Sequence, residues 1–142
     1  MEKSSPSKTN IFLIELIIVI LVFAVASAII INLFISAHKI NDKSQNMSIS
    51  LMKTESIIEE YKSLPSLTDG TNFIDSKGFP LYFDKDWKET KDQASYVYKI
   101  DLVSQEKVKK AIGTLVKSNI EAYNTGNNEK LINMTFEKYF AN

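Results

Sequence analysis

The chain has 142 residues, its 17 basic side chains are all Lys, 17 acidic ones balance them, and Cys is absent. Zero net charge excludes general nucleic-acid binding across the chain. Missing thiols exclude disulfides, zinc–thiolate centres and thiol nucleophiles. The length allows one soluble domain behind an anchor.

The first element is the apolar run 11–35. Its only polar residues are Glu15, Ser27 and Asn32. As a helix, this run is roughly 37 Å long, against a hydrocarbon core of about 30 Å, so a membrane-spanning helix is expected. Ala26-Ser27-Ala28 satisfies the small-x-small rule of a secretory cleavage site. The chain stays apolar after Ala28, however, longer than the roughly 7–15 residues of a signal-peptide core. Lys3 and Lys8 precede the run, and His38, Lys39 and Lys43 follow it, so charge alone sets no orientation. A carboxylate at the centre of a span costs about 2.5–3.5 kcal/mol. Glu15 lies about 6 Å in from Ile11, where snorkelling lowers that cost. It reads either as a tolerated interfacial acid or as a carboxylate awaiting a partner's cation.

The segment Lys8-Thr9-Asn10-Ile11-Phe12-Leu13-Ile14-Glu15-Leu16-Ile17-Ile18-Val19-Ile20 resembles the start of the class III signal sequences of type IV pilins and type II secretion pseudopilins. Leu13-Ile14-Glu15-Leu16 matches the core of that pattern. Asn10 stands where the family carries Gly, Ile11 where Phe is usual, and Phe12 where Thr is usual. The resemblance implies a leader of residues 1–10, peptidase cleavage between Asn10 and Ile11, and a free, commonly methylated amine on Ile11. It also implies that Glu15, fifth from that cut, pairs with the amine of a neighbouring subunit. In a low dielectric such a pair is far less costly than a lone charge, so it enforces axial register during assembly. The N-terminus is then cytoplasmic and the C-terminal domain extracytoplasmic.

No Pro or Gly occurs between Ser36 and Leu64, so the helix is expected to continue over 36–64. Met47, Leu51, Thr54, Ile58 and Tyr61 form one stripe, with Glu55, Glu59, Glu60 and Lys62 off it. Ser and Asn crowd residues 41–50 and predict a kink or break there. Pro65 ends the helix. Residues Ser66 to Gly78, with Asp69-Gly70 and Lys77-Gly78, read as a polar loop. Strands follow over 79–83 and 94–103, where Tyr96, Tyr98, Ile100 and Leu102 share a face. Residues 110–123 fit both helix and strand periods. Gly113 and the β-branched Thr114, Val116 and Ile120 favour a strand with Ile112, Thr114, Val116, Ser118, Ile120 and Ala122 on one face. Asn124 to Asn128 is a hairpin loop. Residues 131–140 form a last strand, with Ile132, Met134, Phe136 and Lys138 together. The expected fold is therefore α+β: a long N-terminal membrane helix packed on an antiparallel sheet of about four strands in residues 65–142, the pilin-like order of elements.

Little in the sequence points to catalysis. His38 is the only His, beside Lys39, and no nucleophile is arranged around it. Asp84, Asp86, Glu89 and Asp92 are close in sequence and could offer oxygens to calcium. The EF-hand spacing fails, and Lys85, Lys88 and Lys91 dilute the charge, so a solvated loop is the expectation. Trp87 reads as a packing residue. The expected role is a non-enzymatic minor pilin or pseudopilin of a type IV pilus, a type II secretion-like machine or a DNA-uptake pseudopilus. Its expected partners are the membrane, other pilin subunits, a prepilin peptidase and the assembly machinery, with no cofactor, metal or direct nucleic-acid site. The alternatives are a membrane-anchored surface binding module and a membrane-retained accessory protein.

Overall fold

A computed structural model describes residues 8–141. The chain contains a helix α1 (Lys8–Ser63), a short helix α2 (Leu67–Lys77), and strands β1 (Leu81–Phe83), β2 (Tyr98–Lys110), β3 (Gly113–Asn124) and β4 (Glu129–Ala141). It divides into two units that meet between Lys43 and Ser44.

The first unit holds the apolar part of α1. Bulky apolar side chains lie exposed around the whole helix, from Ile11 through Ile35. A helix apolar on every side has no preferred face to bury in a small soluble core, and its length and composition suffice to cross a membrane. Two of its hydroxyls are satisfied within the helix: Ser27 Oγ donates to the Phe23 carbonyl at 2.8 Å and Ser36 Oγ to the Asn32 carbonyl at 2.9 Å, i−4 bonds that would spare a membrane-spanning helix unpaired polar groups. The crowded residues 41–50 are helical throughout, so the expected break is corrected. Their low propensity is a few tenths of a kcal/mol per residue and does not outweigh the helix on either side.

The second unit is an α+β domain in which the last part of α1 and α2 pack on a four-stranded antiparallel meander, ordered β1-β2-β3-β4. The buried stripe of α1 is Ser50, Thr54, Ile57, Ile58 and Tyr61. Thr54, Ile58 and Tyr61 are where the spacing puts them, whereas Met47 and Leu51 remain exposed. Tyr61 is 1% exposed and meets the rings of Phe73, Phe136 and Phe140 edge-on at 5.4–6.0 Å. Such contacts contribute about 0.5–1.5 kcal/mol each beyond area burial.

Residues 66–78 form a helix where the sequence predicts a loop. Ser66 caps α2 by accepting from the Asp69 amide at 3.1 Å, and its own hydroxyl donates to the Asp69 carboxylate. Gly78 ends α2 in the left-handed region at φ 66°. Gly70 lies against Tyr61 and Phe140, and a Cβ there would stand 3.1 Å from Tyr61 Oη and 3.2 Å from Phe140 Cζ. The glycine therefore serves close approach inside a helix rather than a turn. The Phe79–Pro80 peptide is cis, and the strand that follows is shorter than expected, beginning at Leu81.

In the sheet, Leu81, Ile100, Ala122 and Ile132 lie opposite one another in successive strands, as do Leu102, Ile120 and Met134. These rungs face the helices. The expected strand at 94–103 is shifted. Gln93–Ser95 is a 3₁₀ turn capped by Asp92, Tyr96 stacks on Tyr82 at 4.0 Å, and β2 runs on to Lys110. Residues 113–124 are a strand, with Thr114, Val116, Ser118, Ile120 and Ala122 buried as expected, while Ile112 lies outside it at the hairpin tip. Two irregularities adjust the register. One lies between Leu102 and Ser104. The other, opposite Ala122 and Tyr123, leaves Leu131 as an extra residue and lets it join the core.

Candidate functional site

Asn10, Ile11 and Glu15 lie in the first two turns of α1, all exposed. Ile11 and Glu15 are four residues apart, which puts them on one helix face. Glu15 has no hydrogen-bond or ion-pair partner among the described residues, and its flanks are the exposed apolar side chains of Ile14 and Leu16. An unpaired carboxylate in that setting is competent to receive a cation from another molecule, whose charge would offset its desolvation. At the other end of the apolar run His38 meets the Phe34 ring edge-on at 4.5 Å, a packing contact without a second titratable group.

The acidic loop that could have offered oxygens to calcium is organised around a different centre. Asp84 Oδ1 accepts from the backbone amides of Asp86 and Lys88, both at 2.9 Å, so this carboxylate folds its own loop. Glu89 forms a bridge with Phe83. Among the described residues no three His, Cys, Asp or Glu side chains converge as a metal site. The loop instead presents Trp87, whose backbone is held at φ 59°. Its indole is 4% exposed, stacks on Tyr98 at 4.2 Å, and donates to Asn46 Oδ1 at 3.1 Å. That hydrogen bond pins the loop to α1.

One polar cluster escapes sequence reasoning. Glu121 projects from the sheet face away from the helices, yet it is only 6% exposed. Lys130 Nζ donates to its Oε1 at 2.7 Å, and the Tyr123 hydroxyl donates to its Oε2. The Lys130 hydrogen bond, then that of Tyr123, holds the Glu121 carboxyl below its ordinary value. The Glu121 hydrogen bond raises both the Tyr123 hydroxyl and the Lys130 ammonium. The Lys99 ammonium covers the Tyr123 ring at 4.9 Å. Every group in this cluster is paired, which marks it as a fastening of the outer face. Period-two alternation assigns Glu121 to solvent and carries no sign of this. Only the irregular register of β4, which sets Lys130 opposite Tyr123, brings the partners together.

A cavity of about 170 Å³ lies beside Lys53, Ile57, Leu81 and Phe83, bordered by the Lys77–Glu60 ion pair at 2.8 Å. It is smaller than the roughly 300–1,000 Å³ of ordinary small-molecule sites. Comparison with protein-family models, with characterised proteins and with solved structures finds no match to this chain.

Proposed function

We propose that the chain is a single-pass, membrane-anchored assembly subunit of the pilin type, a minor pilin or pseudopilin. It would serve a type IV pilus, a type II secretion-like machine or a DNA-uptake pseudopilus. The observation that carries the reading is Glu15, one unpaired carboxylate near the head of a helix that is otherwise apolar on all sides, five residues from the Asn10–Ile11 bond counted inclusively. The long helix followed by an α+β domain with an antiparallel sheet supports it, as does the leader with Lys3 and Lys8. In this mechanism apolar helices pack in a fibre. Glu15 meets the Ile11 amine of the next subunit, and the low dielectric makes mis-registered subunits costly. The sheet domain is displayed outside the cytoplasm.

Asn10 favours a second reading. The related peptidase requires a small residue before the cut, so an uncleaved chain would remain in the membrane as an accessory or binding protein. The intact mass of native protein from membranes decides between them. Loss of residues 1–10, with or without a methyl on Ile11, supports the assembly subunit, and a full-length mass supports the retained one. Glu15→Ala should leave membrane insertion intact and abolish incorporation into fibres. Normal incorporation of that variant would remove Glu15 from the mechanism.

A further inference from the structure

The β2–β3 hairpin and the outer face of α1 carry two surfaces that the Glu15 contact does not use. The hairpin tip is Ala111-Ile112, and Ile112 is 75% exposed. Lys109 lies beside it on the helix-facing side of the sheet and Lys110 on the other side, both exposed. Glu106 and Glu137 flank Lys117 roughly 13 Å behind the tip, and Glu137 pairs with Lys117 at 3.3 Å. The apex is therefore apolar and positive. On α1 the buried stripe holds Thr54, Ile58 and Tyr61. At about 100° per residue the opposite face holds Ser48, Met52, Glu55 and Glu59. Met52 is 66% exposed, and both glutamates are exposed in the turns that follow it. The other charges near this face are Lys53, over the Phe83 ring at 5.1 Å, the Glu60–Lys77 pair at 2.8 Å, and Lys62. Among the described residues Lys109, Lys110, Glu55 and Glu59 form no ion pair.

We propose that the hairpin tip of one copy docks on the outer face of α1 in a second copy, with Ile112 against Met52 and Lys109 and Lys110 against Glu55 and Glu59. An aliphatic knob and a flexible thioether gain by covering each other, and the opposite charges around them fix the register. Two tips meeting would crowd lysine on lysine, and two α1 faces would crowd glutamate on glutamate, so repulsion opposes either symmetric pairing. The contact is therefore heterologous. Thr114, beside the tip, pairs with Phe140, which packs on Tyr61, so the tip lies at the Tyr61 end of the domain. Met52 precedes Tyr61 by roughly 13 Å along α1. Docked copies are thus staggered along the helix axis rather than level, and the step can repeat without closing. A hairpin tip on one helix face is small beside the roughly 1,200–2,000 Å² of stable complexes, so concentrated chains are needed to populate it. The contact rests on these two surfaces and not on Asn10 or Glu15. A full-length native mass, which counts against the assembly subunit, leaves it standing.

The test uses the concentrated full chain in detergent, where copies are free to slide along one another, and the lack of any native Cys allows reporter thiols. Ala111→Cys at the tip and Ser56→Cys, one turn from Met52, leave every contact residue in place. Mixing the two variants with a short bis-maleimide should give a mixed dimer. A chain carrying both thiols should give a ladder that runs past the dimer. Lys109→Glu with Lys110→Glu in the Ala111→Cys chain should lower the mixed yield about tenfold. Glu55→Lys with Glu59→Lys in the Ser56→Cys chain should then restore it. Absence of a mixed dimer overturns the proposal, as does cross-linking of Ala111→Cys chains only to each other. A yield indifferent to charge reversal, or a loss that the compensating swap does not restore, overturns it too.

Discussion

Residues 8–43 and 44–141 share one helix and yet follow opposite burial rules. In the first stretch no described residue is buried, although most are Ile, Leu, Val, Phe or Ala. In the second, fifteen hydrophobic residues form a core and the charged residues of α1 stay outside. The same helical backbone is therefore written for two solvents. Where apolar residues cover the whole circumference, the helix has the length and composition to cross a membrane. Where they narrow to the stripe of Thr54, Ile58 and Tyr61, the domain's own core covers them.

Mutations can separate the two. The largest effect is expected from Tyr61→Ala, which removes a ring held by three others. It should lower the unfolding free energy of the α+β domain by about 3–5 kcal/mol while leaving membrane association unchanged. Urea unfolding followed by Trp87 fluorescence measures this, and a loss below about 1 kcal/mol would show that the helix is not docked through this ring. The reciprocal change is Leu21→Lys, in the middle of the apolar run. It should cost about 2.5–3.5 kcal/mol of insertion, read as the fraction resisting alkaline extraction, with the urea midpoint unmoved. A shift in both quantities would mean that the two stretches are energetically coupled.

Smaller effects test the domain alone. Thr54 is fully buried and its hydroxyl has no hydrogen-bond partner among the described residues. Thr54→Val keeps the shape and should raise stability by about 1 kcal/mol; destabilisation would indicate a hydrogen bond to a buried water. The smallest effect concerns pH. The Glu121 carboxyl titrates below its ordinary value of 4.5 in the folded state, so its contribution is present above that value and fades as pH falls through the folded pKa. Lys130 and Tyr123 are raised, so theirs is present below their ordinary values of 10.5 and 10.0 and fades as pH rises beyond the folded ones. Glu121→Gln should flatten both the acid and the alkaline limbs of the stability profile, and an unchanged acid limb would assign it to other carboxylates.

The α+β class and the Thr54, Ile58 and Tyr61 part of the α1 stripe were legible from periodicity that burial enforces, and the strand expected at 110–123 was legible from Gly113 and its β-branched residues, since both periods fit it. What escaped detection was local chemistry with two meanings. Asp69-Gly70 and Lys77-Gly78 carry turn residues, yet Ser66, three positions before Asp69, is a helix cap, and Gly70 is small because Tyr61 and Phe140 press on it. The contact that settles the matter comes from a ring far along the chain. The same holds for Glu121, whose partner is chosen by an irregularity in β4. Asn10, Ile11 and Glu15 stand out in the sequence only as a pattern, and among the described residues none forms a hydrogen bond or ion pair with them.

The clasp between the ends of the domain has a consequence for biosynthesis. Lys138 Nζ meets the Lys62 carbonyl at 2.5 Å across 76 positions, and Phe136 and Phe140 cover Tyr61 from the last strand. A ribosome emits α1 first and β4 last. During translation, Tyr61 and its neighbours leave the exit tunnel with no lid to receive them, and at about 5–20 residues per second they wait several seconds for it. The meander pairs only sequential neighbours and can form quickly once made. The slow interval therefore belongs to an orphaned helix face, and that is where a chaperone would find its grip on the nascent chain.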